Sequence, residues 1–197
     1  EFGMDLVLQS CTKYLAGHND ILAGAVLGRS DLIDRIRNLH KSMGGTIDPH
    51  CCYLLLRGLK TFPLRVARQN ETALTVARFL EGHSKVKRVY YPFLESHPHH
   101  AVATAQMRGG GGVVTFETKG TLRSAKRLLD ALQLCYIGPS LGGVETLITH
   151  PALVSYYDYP RKDRYALGIT DTLFRLAVGI EDAEDIIADL DRGLTQV

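Results

Sequence analysis

Between two apolar runs lies Ser10-Cys11-Thr12-Lys13-Tyr14-Leu15-Ala16-Gly17-His18-Asn19-Asp20. The run before it, Leu6 to Gln9, reads as a short strand. The run after it, Ile21 to Leu27, is apolar with small residues and reads as a second, buried strand. The stretch itself is polar and glycine-bearing, so it forms a loop. A lysine just after a strand, preceded by two hydroxyls, has a specific chemical use. Its amine can form a Schiff base with an aldehyde cofactor. The Ser10 and Thr12 hydroxyls can donate to a phosphate, and a neighbouring glycine lets the backbone approach closely. A solvated surface lysine is the bland alternative, because Ser-x-Thr-Lys also arises by chance.

Outward from this loop, the pattern alternates strands and helices. Ser30 with Asp31 reads as the cap of a helix through Ile33, Ile36, Arg37 and Leu39, stopped by Gly44-Gly45. Asp48-Pro49 opens another helix, with proline suited to its first turn. Tyr53, Leu54, Leu55 and Leu56 are apolar all round, which predicts burial. Pro63 marks a break or a fresh start. From Leu64, apolar residues at Val66, Ala73, Leu74, Ala77 and Leu80 give a long amphipathic helix ending at Gly82. Beyond it come a strand over 86–91, a short helix over 100–107 and the four-glycine turn Gly109 to Gly112. A strand over 113–117 and an amphipathic helix over 121–132 follow. Residues 136–150 read as loop and short strand, 173–178 as a strand and 182–194 as a closing helix. The fold class is α/β, with a boundary inside the long helix near Glu71 that gives domains 1–71 and 72–197.

Bulk properties exclude several functions. Net charge is +2, with 23 basic against 21 acidic residues scattered along the chain. That offers no electrostatic footprint for nucleic acid or an anionic membrane. No run of 18 apolar residues is present to span a bilayer. Four cysteines, Cys11, Cys51, Cys52 and Cys135, form no C-x-x-C pair and read as buried thiols of a reducing compartment. His97, His99 and His100 cluster around Pro98, but in a segment that reads as surface, so no metal site is expected. The glycine turn enters a strand rather than a helix and therefore reads as a tight turn, not a phosphate cradle. The opening, Glu1-Phe2-Gly3-Met4 running straight into a strand, reads as a cut.

Two further constellations stand out. Arg175 lies in the apolar run Phe174-Arg175-Leu176-Ala177-Val178. A strand arginine is costly unless paired, so it is either a structural ion pair or a bidentate clamp for a carboxylate. Glu145, in Ser140-Leu141-Gly142-Gly143-Val144-Glu145-Thr146, reads equally well as an exposed loop acid or a substrate contact.

Ser10-x-Thr12-Lys13-Tyr14-x-x-Gly17-His18-x-Asp20 resembles the cofactor-lysine signature of the Cys/Met-metabolism enzymes, which depend on pyridoxal 5'-phosphate. The family includes cystathionine γ-synthase, cystathionine γ-lyase, methionine γ-lyase and the O-acylhomoserine sulfhydrylases. The likeness runs in order through Arg57-Gly58-Leu59-Lys60-Thr61, Val86-x-x-Val89-x-Tyr91-Pro92, Ser140 to Leu147 and Arg175 to Asp182. It implies the end of an aspartate-aminotransferase-like large domain followed by a smaller α+β C-terminal domain. It implies Lys13 as the catalytic, cofactor-linked lysine and Ser10 and Thr12 as phosphate contacts. It implies Arg175 as the substrate-carboxylate clamp, with Ser140 and Glu145 near the substrate.

Tyr136 to Ser140 and Ser155-Tyr156-Tyr157-Asp158 resemble the synthase branch, particularly plant-type forms. The implied reaction is γ-replacement on an activated homoserine ester by cysteine, with γ-elimination as the runner-up. The implied assembly is a homo-oligomer, tetrameric in the intact family, in the cytoplasm or, in a plant, the plastid. In that family the ring that stacks on the cofactor and the acid that pairs with its pyridine nitrogen lie upstream of the lysine. An inactive fragment acting only in folding or association is therefore a third expectation.

Overall fold

The computed structural model describes residues 3–197. Glu1 and Phe2, part of the abrupt opening, lie outside the described residues. The chain divides into two compact units, Glu1–Pro63 and Leu64–Val197. The division falls at the start of a long helix, where the sequence had placed a boundary inside that helix near Glu71.

The first unit is built on an antiparallel ribbon. Strand β1 (Leu6–Ser10) pairs with β2 (Gly24–Gly28), with Ser10 opposite Gly24. Helix α1 (Ser30–Met43) follows, with Ser30 as its first helical residue. The expected Ser30 cap is absent, and Arg29 at the N-cap position pairs instead with Asp31. Gly44 and Gly45 both adopt φ +79°, a left-handed backbone that glycine supplies without strain, and so end the helix as expected. In α2 (Pro49–Leu59), the Asp48 carboxylate accepts from the His50 and Cys51 amides at 2.9 and 3.0 Å.

Burial in this unit departs from expectation. Helix α2 is apolar all round, yet Tyr53 and Leu56 are 62% and 64% exposed. Strand β2, expected to be buried, has exposed Val26 and Leu27 and starts later than expected, at Gly24. Cys51 and Cys52 are half-buried, whereas Cys11 is fully buried. The reason is geometric. Two five-residue strands present too little surface to cover both faces of the ribbon and two helices. Helix α2 makes its close approach at one point, where Gly58 abuts the Ala16 backbone and any Cβ would collide.

The second unit holds the core. Helix α3 (Phe62–Gly82) runs unbroken through Pro63, which sits in the first turn where its missing N–H costs nothing. Its buried face is Arg65, Gln69, Thr72, Ala73, Val76, Ala77 and Leu80, spaced by three and four residues. Then come β3 (Val86–Tyr90), α4 (His100–Gln106), β4 (Val113–Thr118), α5 (Leu122–Ala131), β5 (Tyr136–Ile137), β6 (Leu147–Thr149), α6 (Arg161–Ala166), β7 (Leu173–Ala177) and α7 (Ala183–Leu194). The strands form one sheet in the order β3-β4-β7-β6-β5, antiparallel except for the β5–β6 pair. Phe116 and Phe174 stack at 5.2 Å in the core, to which α3, α5 and α7 contribute Leu80, Leu128 and Ile186. Helix α6 was not foreseen. It is tied down by Arg164 and Arg161, which meet Asp171 at 2.8 and 2.6 Å.

The four-glycine turn is explained by packing rather than by ligand binding. A Cβ on Gly109 would enter the Asn70 side chain, and one on Gly110 would enter the Tyr91 ring. Gly111 (φ +84°) donates to Asn70 Oδ1 at 2.7 Å and accepts from the Tyr91 hydroxyl at 2.9 Å. Among the described residues, no group of histidine, cysteine and acidic side chains is arranged to hold a metal. None of the helices described is long and apolar enough to cross a membrane.

Asp189 gives the clearest stability prediction. Its buried carboxylate accepts from the amides of Gln133, Leu134 and Cys135 at 2.8, 3.0 and 2.9 Å, fixing the turn after α5 to α7. Burial pushes this carboxyl up, but the amide donors outweigh burial and hold it below the usual range. Its contribution is therefore present above the unfolded value of about 4 and is lost as pH falls through the lower folded value. Asp189→Asn turns an acceptor into a donor facing N–H groups. It is expected to cost about 2 kcal/mol in urea unfolding at pH 7 and to weaken that acid dependence. Unchanged stability with an unchanged acid limb contradicts this role.

Candidate active site

The lysine and arginine constellations lie in different units, and each has its own local frame. In the first unit, β1 ends at Ser10 and the chain enters a tight turn, Cys11–Leu15. The turn is interrupted at Lys13, whose backbone is non-helical (φ −93°, ψ −127°). Thr12 ties this turn to the start of β2. Its amide donates to the Ala23 carbonyl at 3.2 Å. Its hydroxyl accepts from the Ala23 amide at 2.9 Å and directs its proton to the same carbonyl at 3.3 Å. Gly17 adopts φ +74° and Asn19 φ +56°, so the loop turns back through left-handed backbone on either side of His18. The His18 ring nitrogen Nδ1 meets the Ala16 carbonyl at 2.7 Å.

This donor set suits a phosphorylated aldehyde. One amine for covalent attachment and two hydroxyls for phosphate lie within four residues at a strand end, Ser10 to Lys13. Ser10 is exposed there. Thr12 would exchange its long bond to Ala23 for a phosphate oxygen while still accepting from the Ala23 amide. The tie to Ala23 was invisible in the sequence, because its partner comes from beyond the loop.

In the second unit, Arg175 occupies the middle of β7, opposite Thr115 of β4 on one side and Thr149 of β6 on the other. Its Nη2 donates to the Pro139 carbonyl, to the Ser140 carbonyl at 3.1 Å and to Thr149 Oγ1 at 3.4 Å. Its Nε is buried without a hydrogen-bond partner. No carboxylate of the described residues is ion-paired with it, so the structural ion pair weighed from sequence is not formed. A guanidinium held by neutral oxygens, with no carboxylate of the described residues paired to it, has the chemistry to pair with a carboxylate.

The segment between β5 and β6 that meets Arg175 is itself held at several points. Thr149 donates its hydroxyl to the Gly138 carbonyl, and Gln69 of α3 donates to the Gly143 carbonyl at 2.7 Å. Glu181 accepts from the Thr146 amide at 2.6 Å and the Thr146 hydroxyl at 2.8 Å. That hydroxyl in turn accepts from the Gly179 amide at 2.9 Å. A Cβ on Gly179 would collide with the Val144 carbonyl and the Glu181 carboxylate, which accounts for glycine there. Ser140 is half-buried in this segment and Glu145 is exposed. Pro139, Thr149, Thr146, Glu181 and Gln69 were not singled out as site residues from sequence. Thr146 and Glu181 stand inside quoted motifs, but their pairing across 35 residues has no local signal.

A family model described as "Cys/Met metabolism PLP-dependent enzyme" matches residues 1–195. The chain belongs to the Cys/Met-metabolism PLP-dependent enzyme family. Within that family, it is 49% identical to cystathionine gamma-synthase 1, chloroplastic, of Nicotiana tabacum, over 99% of this chain and 36% of that protein. It is 46% identical to L-methionine gamma-lyase of Fusobacterium nucleatum, over 100% of this chain and 50% of that protein. A crystal structure of cystathionine gamma synthase from Xanthomonas oryzae pv. oryzae, in complex with aminoacrylate and cysteine, is similar at a TM-score of 0.94 and 41% identity. That match covers 99% of this chain and 51% of the other. The chain thus spans about half the length, or less, of these family members. The fold is the mixed α/β architecture of PLP-dependent synthases and lyases, as the resemblance implied, and the family's cofactor is pyridoxal phosphate.

Proposed function

We propose that this chain carries the cofactor lysine and the substrate-carboxylate arginine of an enzyme that performs γ-replacement on an activated homoserine ester, with cysteine as the incoming thiol. The observation that carries the substrate part is Arg175, a strand guanidinium held by neutral oxygens with its Nε buried and unused. The synthase reading is supported by the 49% identity to the tobacco cystathionine gamma-synthase.

Each residue has a distinct task. Pyridoxal phosphate, when bound, supplies an electron sink for the carbons of an amino acid. Lys13 would hold that group through its amine and, when free, carry protons between substrate carbons. Ser10 and Thr12 would hold the phosphate. Arg175 would receive the α-carboxylate in two parallel N–H···O contacts and fix the orientation of the bond that breaks. Ser140 would lie by the substrate carboxylate, and Glu145 would orient the distal part of the substrate. Assembly as a homo-oligomer belongs to the same proposal. So does a plastid setting if the source is a plant, since the tobacco relative is described as chloroplastic.

A second reading is γ-elimination, favoured by the 46% identity to the Fusobacterium methionine gamma-lyase. The two readings are separated by supplying an O-acylhomoserine with and without cysteine and identifying products by mass spectrometry. The synthase reading expects cystathionine as the main product with cysteine present. A 2-oxo acid and ammonia as the main products in both reactions support the lyase reading and overturn the first.

A further inference from the structure

The segment from Gly138 to Thr146 does two things that bear on Arg175. Near its start, the Pro139 and Ser140 carbonyls hold the guanidinium directly. At its end, Thr146 is fastened to the chain just beyond β7, the strand that carries Arg175. The fastening is a closed set of three hydrogen bonds. The Thr146 hydroxyl donates to Glu181 and accepts from the Gly179 amide, and the Thr146 amide donates to the other Glu181 oxygen. A hydroxyl has one proton, so this arrangement works in one direction only: Glu181 must accept from it. Thr146 is fully buried. A second tie runs alongside it, from the Ile180 amide to the Val144 carbonyl at 2.9 Å. Glu181 and its neighbour are themselves braced to α3, where Arg68 meets Asp182 at 2.6 Å and approaches the Glu181 carbonyl at 3.4 Å.

We infer that Thr146 and Glu181 form a latch that positions Arg175, acting through the Pro139 and Ser140 carbonyls rather than by touching substrate. A guanidinium donor aimed by carbonyls is only as fixed as the segment that carries them. The latch closes that segment onto the same strand end that continues from Arg175, so the arginine and its acceptors share one anchor. Removing the Thr146 hydroxyl leaves a half-buried Glu181 oxygen and the buried Gly179 amide short of a partner, and the segment must shift to find them others. The inference rests on the reading of Arg175 as the carboxylate clamp.

The test observes Arg175 itself in the 197-residue chain. With 15N-labelled arginine, the Arg175 Nε–H signal is assigned by its loss in Arg175→Lys, and its exchange with water is measured. Thr146→Val is expected to speed that exchange about tenfold, the equivalent of one lost hydrogen bond to a charged group. Thr146→Ser, which keeps the hydroxyl, is expected to restore the slow rate, and Glu181→Gln to fall between. The Gln variant keeps the read-out available should Thr146→Val not fold. Exchange at Arg175 that is unchanged in both Thr146→Val and Glu181→Gln overturns the latch. So does equal acceleration in Thr146→Ser, which marks a general packing effect. Substrate affinity in Arg175→Leu is a separate measurement. If it is unchanged, the clamp reading fails; if it falls while the exchange rates stay level, only the latch fails.

Discussion

In a full-length version of the enzyme, Lys13→Ala is expected to abolish covalent attachment of pyridoxal phosphate and to lower turnover by about 10³-fold or more. Two roles are lost together. The amine is the one side-chain primary amine in the Ser10–Asp20 loop, so it is the group there that can form a Schiff base, and once released it is also the base at that carbon. Lys13 is a half-buried side chain on a turn whose backbone contacts, through Thr12, Ala16 and Gly17, alanine leaves in place. Retained turnover, with the cofactor still covalently bound, removes Lys13 from the mechanism.

Arg175→Leu is expected to raise the apparent dissociation constant for the amino-acid substrate by a factor equivalent to about 2–5 kcal/mol, while cofactor binding stays close to normal. Leucine fills the strand position but offers no donor to a carboxylate. It also releases the Pro139 and Ser140 carbonyls and Thr149, so some loosening of the Gly138–Thr146 segment accompanies the loss. Arg175→Lys separates the two effects. It keeps the charge but not the fork, so it should recover only part of the affinity. Unchanged affinity in Arg175→Leu contradicts the clamp and leaves Arg175 a structural residue.

What could be read from the sequence divides along a physical line. Features with a local cause were legible. The Gly44-Gly45 stop, the Asp48-Pro49 start, the three-and-four spacing of α3 and the alternation in β4 each follow from a few neighbouring residues. The glycine run itself marks Gly109 to Gly112 as a turn, although the partners that require glycine there, Asn70 and Tyr91, come from elsewhere. Burial was the part that failed. Tyr53 and Leu56 look like core residues, but exposure depends on what lies over a helix, and composition does not report that. Helix α6 was missed because it is six residues long, with a charged first turn, and is held by Asp171 from beyond its end.

The site divides in the same way. Lys13 and Arg175 stand out in the sequence, a lysine behind two hydroxyls and a charge in an apolar strand, but the residue types left a surface lysine and a structural ion pair open, and it is the family resemblance that implies their roles. Their supports were not found. Thr12 to Ala23, Arg175 to Pro139 and Thr146 to Glu181 are pairings across 11, 36 and 35 residues. Only the strand register, which sets Thr149 opposite Arg175, makes such pairings visible.

Everything proposed for the site depends on Lys13 bonding the cofactor. The most direct measurement is borohydride reduction of the protein loaded with pyridoxal phosphate, followed by peptide mapping by mass spectrometry. A stable pyridoxyl tag is expected on Lys13, in the peptide that carries Ser10 and Thr12. A tag on Lys41 or Lys60 in place of Lys13 would contradict it.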